Sequence, residues 1–308
     1  MRTKKIEVND WRGVFPVPPL ARKRDAARSL DWKENQKVFD HIRKGGLTRF
    51  MYGGNAFLYH ITLSEYEDLL GWLKGQADDC WCIPSVGPSY GRLMDQATIL
   101  KKFNFPTVMH LPSGDPRDAA GLERGLRDFS QAIGAPLIVY MKEENSWGND
   151  KTAGLEAVAR LVKDGVAIGI KYAVVRQDPA KDPYLKGLLD RVPLHSVISG
   201  IGERPAIVHM RDFKLFGFTT GSGCVGSKWT QKLYEACVAG RWEEAEHIRA
   251  KFIPLEDIRD AQGPARVLHA ATRVARIAET GAIPPFITEL DKSFDPALAE
   301  ATGRLLME

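Results

Sequence analysis

Short apolar segments and amphipathic segments alternate eight times along the chain between residues 13 and 239. Each apolar segment suits one buried strand and is too short for a helix that stands alone. Each segment between them repeats its apolar residues at helical spacing. This alternation predicts a parallel sheet covered by helices, and eight units of about 28 residues favour a closed (β/α)8 TIM barrel over an open sheet.

The predicted strands are short and evenly spaced, and they occupy residues 11–18, 47–52, 81–84, 107–111, 136–141, 166–171, 196–199 and 215–220. Ser64 is predicted to cap the helix at about 65–75. From residue 241 the pattern is helical only, and it includes a predicted helix at 264–280 that serves packing or an oligomer interface. The predicted fold is therefore α/β, with a barrel over residues 1–240 and a C-terminal helical region over 241–308 packed on it.

The composition is that of an ordinary globular protein, with 44% hydrophobic and 27% charged residues and a net charge of +4. Lysines and arginines are scattered rather than collected into a stripe, so we expect no nucleic-acid partner. The first residues lack an apolar signal region and no run of about eighteen apolar residues occurs, so we expect a cytoplasmic protein without a membrane span. The four cysteines are expected to be reduced thiols, and no metal site is predicted.

The sixth predicted strand, Val166 to Lys171, ends on a lysine. Barrel enzymes carry their active sites at the C-terminal ends of the strands, so Lys171 is predicted to face that mouth. Partial loss of hydration there should lower the pKa of the Lys171 ammonium toward the range in which a free amine attacks a carbonyl. The alternative is a lysine that only extends to solvent from a strand end.

Two other features are predicted to lie at the same end of the barrel. Tyr140, near the end of the fifth strand, offers a phenol for proton transfer. The loop Gly53-Gly54-Asn55 offers backbone amides and a side-chain amide that can hold a carboxylate. A 2-keto acid would engage all three groups, so we predict that Lys171 forms a Schiff base with such a substrate.

Several ordered motifs between about residues 11 and 255 resemble the dihydrodipicolinate synthase and N-acetylneuraminate lyase superfamily of class I aldolases. Gly169-Ile170-Lys171 resembles the strand that carries the Schiff-base lysine, and Tyr140 stands where this family has its catalytic tyrosine. The segment 53–57 resembles the carboxylate-binding loop, and 217–221 resembles the segment of strand eight. The resemblance implies a (β/α)8 barrel with a helical C-terminus and a lyase activity.

The resemblance also implies roles for individual residues. Lys171 would form an iminium ion on the keto carbon, Tyr140 would move the protons, and a third group would hold the substrate carboxylate: Gly54, Asn55 and Thr219. Residues at predicted strand ends that would contact the substrate tail are His110, Asn145 and Ser85. The implied substrate is a 2-keto acid such as pyruvate or a sugar acid, with no cofactor beyond the covalent Schiff base, in a homotetramer or homodimer.

The chain departs from the synthase pattern at positions that choose the second substrate. Gly54 and Asn55 replace two threonines, and Phe57 replaces a glutamate. The segment 111–114 lacks the tyrosine that reaches a neighbouring subunit, and no arginine lies in 141–145, where Lys142 is a substitute of different reach. These departures favour an aldolase or dehydratase for another 2-keto acid. The alternatives are the synthase itself and a catalytically inactive relative that binds a keto acid.

The segment Gly221 to Gly226 matches the G-x-G-x-x-G pattern between a strand and a helix. That pattern is typical of dinucleotide-binding sites. Here it falls in the eighth βα unit instead of the first, and no strand with an acidic end follows it. We therefore interpret these glycines as residues that let the last βα loop pass close to the substrate, with a helix start that can bind an anion.

Overall fold

The computed structural model describes residues 1–114 and 117–307. It contains eight strands, which are β1 Gly13–Pro16, β2 Arg49–Tyr52, β3 Trp81–Val86, β4 Val108–His110, β5 Leu137–Met141, β6 Ala167–Tyr172, β7 Val197–Ser199 and β8 Gly217–Thr220. They form one sheet in the order β1-β8-β7-β6-β5-β4-β3-β2. This sequential order of parallel strands, with helices between them, is that of a nearly closed (β/α)8 barrel, so the predicted fold is confirmed.

Eight helices follow the strands in turn, which are α1 Trp32–Lys44, α2 Leu63–Lys74, α3 Tyr90–Leu100, α4 Ala119–Ile133, α5 Lys151–Lys163, α6 Pro183–Leu189, α7 Ala206–Arg211 and α8 Ser227–Val238. Four more complete the C-terminal part, which are α9 Trp242–Ala250, α10 Ile253–Gln262, α11 Pro264–Val274 and α12 Asp295–Leu306. Across residues 1–114 and 117–307, no helix combines the length and apolar character needed to cross a membrane.

Two local predictions about helix ends are wrong. The cap of α2 is Thr62 rather than Ser64, because the Thr62 side chain accepts from the Glu65 amide while the Glu65 carboxylate accepts from the Thr62 amide. Helix α11 ends at Val274 and does not continue to residue 280. Arg276 adopts a left-handed backbone with φ 56°, which a continuing helix does not allow.

The chain forms two compact units that each combine distant segments. The first unit comprises Met1–Gly13, Thr62–Ile201 and Val208–Phe218, and the second comprises Val14–Ile61, Gly202–Ile207 and Thr219–Glu308. The division predicted at residue 240 stays a prediction. Lys171 and Tyr140 belong to the first unit, whereas the three residues predicted to hold a carboxylate belong to the second.

The inner face of β6 in the first unit is packed by two tryptophans. Trp11 and Trp81 meet edge to face, with ring centroids 5.4 Å apart, and both are buried. Gly169 leaves room for this pair, since a Cβ atom there would lie 2.1 Å from Cη2 of Trp11. Residues two apart on a strand share a face, so the tryptophans fill the layer directly before Lys171.

Candidate active site

Lys171 and Tyr140 are paired residues on neighbouring parallel strands. Lys171 is the last but one residue of β6, and its partner in the register of β5 is Tyr140. The Nζ atom of Lys171 lies 4.3 Å from the centroid of the Tyr140 ring, and only 5% of the lysine is exposed. The amine is therefore held against an aromatic face near the strand ends, in the geometry of a cation–π contact.

The backbone after β7 makes room for the stem of this lysine. Gly200 donates its amide to the Tyr172 carbonyl at 2.6 Å, which fixes its position. A Cβ atom on Gly200 would lie 2.9 Å from Cγ of Lys171 and 2.8 Å from Cβ of Ala173. Gly200 was not among the predicted site residues, and its signal in the sequence is a glycine directly after the seventh strand.

A polar network on the opposite face of β6 joins the loops that follow Tyr140 and Lys171. The Tyr172 hydroxyl donates to Asp182 at 2.7 Å, and burial together with that carboxylate raises the pKa of Tyr172. Arg176 donates to Asp182 at 2.9 Å and also to Glu144. Because Glu144 follows β5 and Arg176 follows β6, the network fixes the two loops beside the paired residues.

The structure does not bring His110 to Lys171. His110 pairs with Val139, the neighbour of Tyr140, so its side chain points to the other face of the sheet. There it lines a cavity of about 380 Å³ between α3 and α4. Burial lowers the pKa of His110 to about 4, although its ring donates to the Pro88 carbonyl. His110, which was predicted to contact the substrate tail, therefore directs a neutral imidazole toward helices α3 and α4.

The other two residues predicted at the substrate tail also belong to the first unit. Ser85 is fully buried and pairs with Met109, which pairs with Ile138 and then Gly169. It therefore shares the face of Lys171, one layer earlier. Asn145 is exposed in the loop after β5, where its carbonyl accepts from Arg117 at 3.2 Å.

In the second unit, the loop predicted to hold a carboxylate is a short 3-10 turn over Gly54–Ala56. The amides that donate inside this turn are those of the residues that follow Asn55, because Ala56 and Leu58 donate to the Gly53 carbonyl and Phe57 donates to the Gly54 carbonyl. The side-chain amide of Asn55 donates to the Val17 carbonyl at 2.8 Å. The Asn55 side-chain amide is therefore engaged within the protein, and the binding of a carboxylate by the Gly54 amide stays a prediction.

Helix α11 supports this turn. Nε2 of His269 lies 3.2 Å from the Asn55 carbonyl oxygen, which only accepts, so Nε2 carries the hydrogen. Burial lowers the pKa of His269 to about 4, and its ring packs 5.0 Å from that of Phe57. Thr219, the third residue predicted to hold a carboxylate, is 2% exposed on β8.

The glycine-rich segment after β8 packs against a buried polar network. A Cβ atom on Gly221 would lie 2.2 Å from Nη2 of Arg259, and one on Gly223 would lie 2.4 Å from Oγ1 of Thr230. The protein's own side chains therefore explain these two glycines, without a dinucleotide or a nearby substrate.

Glu203 lies at the centre of this network and is fully buried. Its Oε1 atom accepts from the hydroxyls of Thr220 and Thr230, and Oε2 has no hydrogen-bond partner within the described part of the chain. Arg259 donates to Glu256 at 2.6 Å, which balances the charge of that carboxylate. Burial and the nearby Glu256 raise the pKa of Glu203 to about 7.

Comparison with known proteins identifies the fold. No protein-family model matches the sequence, and no curated protein matches it. The fold is similar to dihydrodipicolinate synthase from Bacillus clausii, with a TM-score of 0.81 and 18% identity over 98% of this chain and 100% of that one. For dihydrodipicolinate synthase from Agrobacterium tumefaciens C58 the TM-score is 0.82, with 16% identity over 97% and 100%. For PhdJ bound to a substrate intermediate the TM-score is 0.78, with 19% identity over 98% of this chain and 97% of that one. The predicted resemblance is confirmed as a shared fold.

Proposed function

We propose that the protein is a lyase of the class I aldolase or dehydratase type that binds a 2-keto acid as a Schiff base on Lys171. The observation that carries the proposal is the pairing of this lysine with Tyr140, with Nζ 4.3 Å from the ring centroid and the lysine almost fully buried. The shared fold supports it, since structures with this fold include dihydrodipicolinate synthases and a protein solved with a substrate intermediate.

In the proposed reaction, the Lys171 amine adds to the keto carbon and water leaves, which gives an iminium ion. The iminium withdraws the electron pair of a bond at the adjacent carbon. Breaking a carbon–hydrogen bond there yields an enamine, which then attacks an aldehyde or expels a β-hydroxyl as water. Breaking a carbon–carbon bond gives the same enamine and releases an aldehyde. Protonation of the enamine and addition of water to the iminium then release the keto acid and restore the Lys171 amine. The Tyr140 hydroxyl takes and returns the proton in this proposal, and the contact of its ring with Nζ supports the role by placing the phenol beside the amine.

The remaining site roles stay predictions. The part of Gly54, Asn55 and Thr219 in holding the carboxylate rests on the motif resemblance. The same holds for pyruvate as the substrate, for the absence of a further cofactor and for a homotetramer or homodimer. A cytoplasmic location also stays a prediction.

The proposal is tested by trapping the Schiff base. The protein is incubated with pyruvate and a panel of other 2-keto acids, reduced with borohydride and weighed by mass spectrometry. We expect one covalent adduct on the wild-type protein and none on Lys171→Ala. Lys163→Ala is the matched control, because Lys163 is exposed at the end of α5 and should leave the adduct intact. No adduct with any member of the panel would refute the proposal.

Turnover separates an enzyme from a protein that only binds a keto acid. The same panel is assayed for aldehyde release and for water elimination, with circular dichroism to show that Lys171→Ala is folded. We expect product from at least one acid, and none from the variant. A protein that traps pyruvate and turns over no acid would be a binding protein, which would contradict the lyase assignment.

A further inference from the structure

A cavity in the second unit has the size of a small-molecule site. Its volume is about 530 Å³, and its walls come from the end of α1, the first turn of α8 and the end of α12. Ligand sites in proteins usually measure roughly 300–1,000 Å³. None of the residues that line it belongs to the predicted keto-acid site, so its occupant would be a separate ligand.

The polar wall of this cavity is basic. Lys44, Lys228 and Lys232 line it and are exposed, and no aspartate or glutamate is among the lining residues within 1–114 and 117–307. His41 also lines it, and its Nε2 lies 2.8 Å from the Val225 carbonyl, so this nitrogen carries a hydrogen. Burial lowers the pKa of His41. The cationic charge of the wall therefore comes from lysines, and such a wall attracts an anion.

Another part of the lining is aromatic and apolar. The half-buried ring of Trp229 forms part of it, and the Nζ atom of Lys232 lies 4.6 Å from that ring. Leu306 and Met307 continue the wall, with 42% and 65% of their surfaces exposed. Large apolar side chains next to lysines fit a ligand that has both an apolar body and a charged group.

The contacts within the cavity walls hold them in place without a ligand. The Trp229 indole donates to the Met307 carbonyl at 2.9 Å, which ties the end of the chain's last helix to α8. Gly45 packs directly on Ser227, where a Cβ atom would lie 2.0 Å from the serine Oγ. A cavity whose walls are already joined requires little ordering when it binds a ligand.

We propose that this cavity, the lysine–tryptophan pocket, binds a small organic anion with an apolar body. The phosphate or carboxylate group lies at Lys44 and Lys232, and the aromatic or aliphatic part lies against Leu306 and Met307 beside the Trp229 ring, which Lys232 and Lys251 already contact. The same chemistry is present in a soluble aromatic phosphate and in an anionic lipid. The experiment distinguishes these two sources.

Phenyl phosphate is the first probe, and its binding to the full chain is measured by calorimetry. Inorganic phosphate, which lacks the apolar body, is measured in the same way for comparison. We expect saturable binding of phenyl phosphate, tighter than that of phosphate, which weakens as salt is added. Lys44→Gln combined with Lys232→Gln should weaken it about tenfold, since each exposed ion pair contributes up to about fivefold. Lys33→Gln, an exposed lysine at the other end of α1, is the matched control and should change nothing.

Vesicles test the lipid source. The chain is sedimented with phosphatidylserine vesicles and with phosphatidylcholine vesicles. If the chain binds phosphatidylserine vesicles but not phosphatidylcholine vesicles, and the double lysine variant binds neither, the apolar body belongs to a lipid. Saturable phenyl phosphate binding without vesicle binding assigns it to a soluble molecule. The proposal is overturned when neither probe binds, or when the double variant binds both as the wild type does. Borohydride trapping on Lys171 should be unchanged in the double variant, so this result is independent of the proposed lyase function.

Discussion

Gly200 follows β7, which is the neighbour of β6, and replacing it with alanine should displace the amine of Lys171 on β6. The added Cβ atom would lie 2.9 Å from Cγ of Lys171, whereas carbon atoms pack at about 3.5–4.0 Å. The hydrogen bond from the Gly200 amide to the Tyr172 carbonyl, at 2.6 Å, holds the backbone in place. The added Cβ atom would also lie 2.8 Å from that carbonyl oxygen, so either the lysine stem moves by roughly 0.6–1 Å or the Gly200 backbone gives up this hydrogen bond.

A displacement of this size should be visible in the rate of Schiff-base formation. Moving a reacting group by about 1 Å lowers a rate by about 10²-fold. The overpacking should also lower the free energy of unfolding by about 1–3 kcal/mol. The rate is measured as pyruvate adduct formed over time under borohydride, and the stability is measured by urea unfolding.

A glycine with open surroundings provides the control. Gly91 lies exposed on α3, and no described residue packs within 4 Å of an added Cβ there, so Gly91→Ala should leave the adduct rate unchanged. If Gly200→Ala formed the adduct at the wild-type rate while folded, Gly200 would not position the lysine.

Three further changes test other parts of the structure. Tyr140→Phe keeps the ring against Lys171 and removes the hydroxyl, so the adduct should still form. Exchange of the pyruvate methyl protons in D2O, followed by NMR, should slow by about 10²–10⁴-fold. Exchange at the wild-type rate would exclude the phenol as the proton carrier. Gly169→Ala would place Cβ 2.1 Å from the Trp11 ring, so the free energy of unfolding in urea should fall by at least about 1–3 kcal/mol, and an unchanged midpoint would contradict the packing of that layer. Glu203 keeps its proton in the folded state up to a pKa of about 7, against 4.5 for an unperturbed glutamate, so the folded state binds more protons in this window and stability should fall as the pH rises through it. Urea unfolding between pH 5 and pH 8 measures this loss of stability, and Glu203→Gln should remove up to about 3 kcal/mol of it. An equal pH dependence of stability in both proteins would contradict the raised pKa of Glu203.

The fold was predictable because buried parallel strands have a strong local pattern. Apolar runs such as the one that ends at Lys171 marked every strand, and only the ends of elements shifted. The end of α11 was missed because a non-glycine residue, Arg276, adopts the left-handed backbone there, and no glycine marks it. Two hydroxyl residues precede Glu65, and the sequence alone did not show that Thr62 is the cap.

The candidate site was predictable only where neighbouring strands decide it. Tyr140 and Lys171 end consecutive strands, so their proximity followed from the order of the strands. The direction of His110 depends on the register of β4 with β5, which no local pattern gives. The use of the amides after Gly53 within their own turn, and the packing of Gly221 on Arg259, depend on contacts between residues distant in the sequence or on backbone geometry.

The proposed chemistry is tested most directly by locating the reduced pyruvate adduct. After borohydride treatment, the protein is digested and the modified lysine is identified by tandem mass spectrometry. We expect the modification on Lys171 alone, in the fragment that contains β6. Modification of Lys142, or of exposed lysines in general with Lys171 unmodified, would contradict the assignment of Lys171 as the Schiff-base residue.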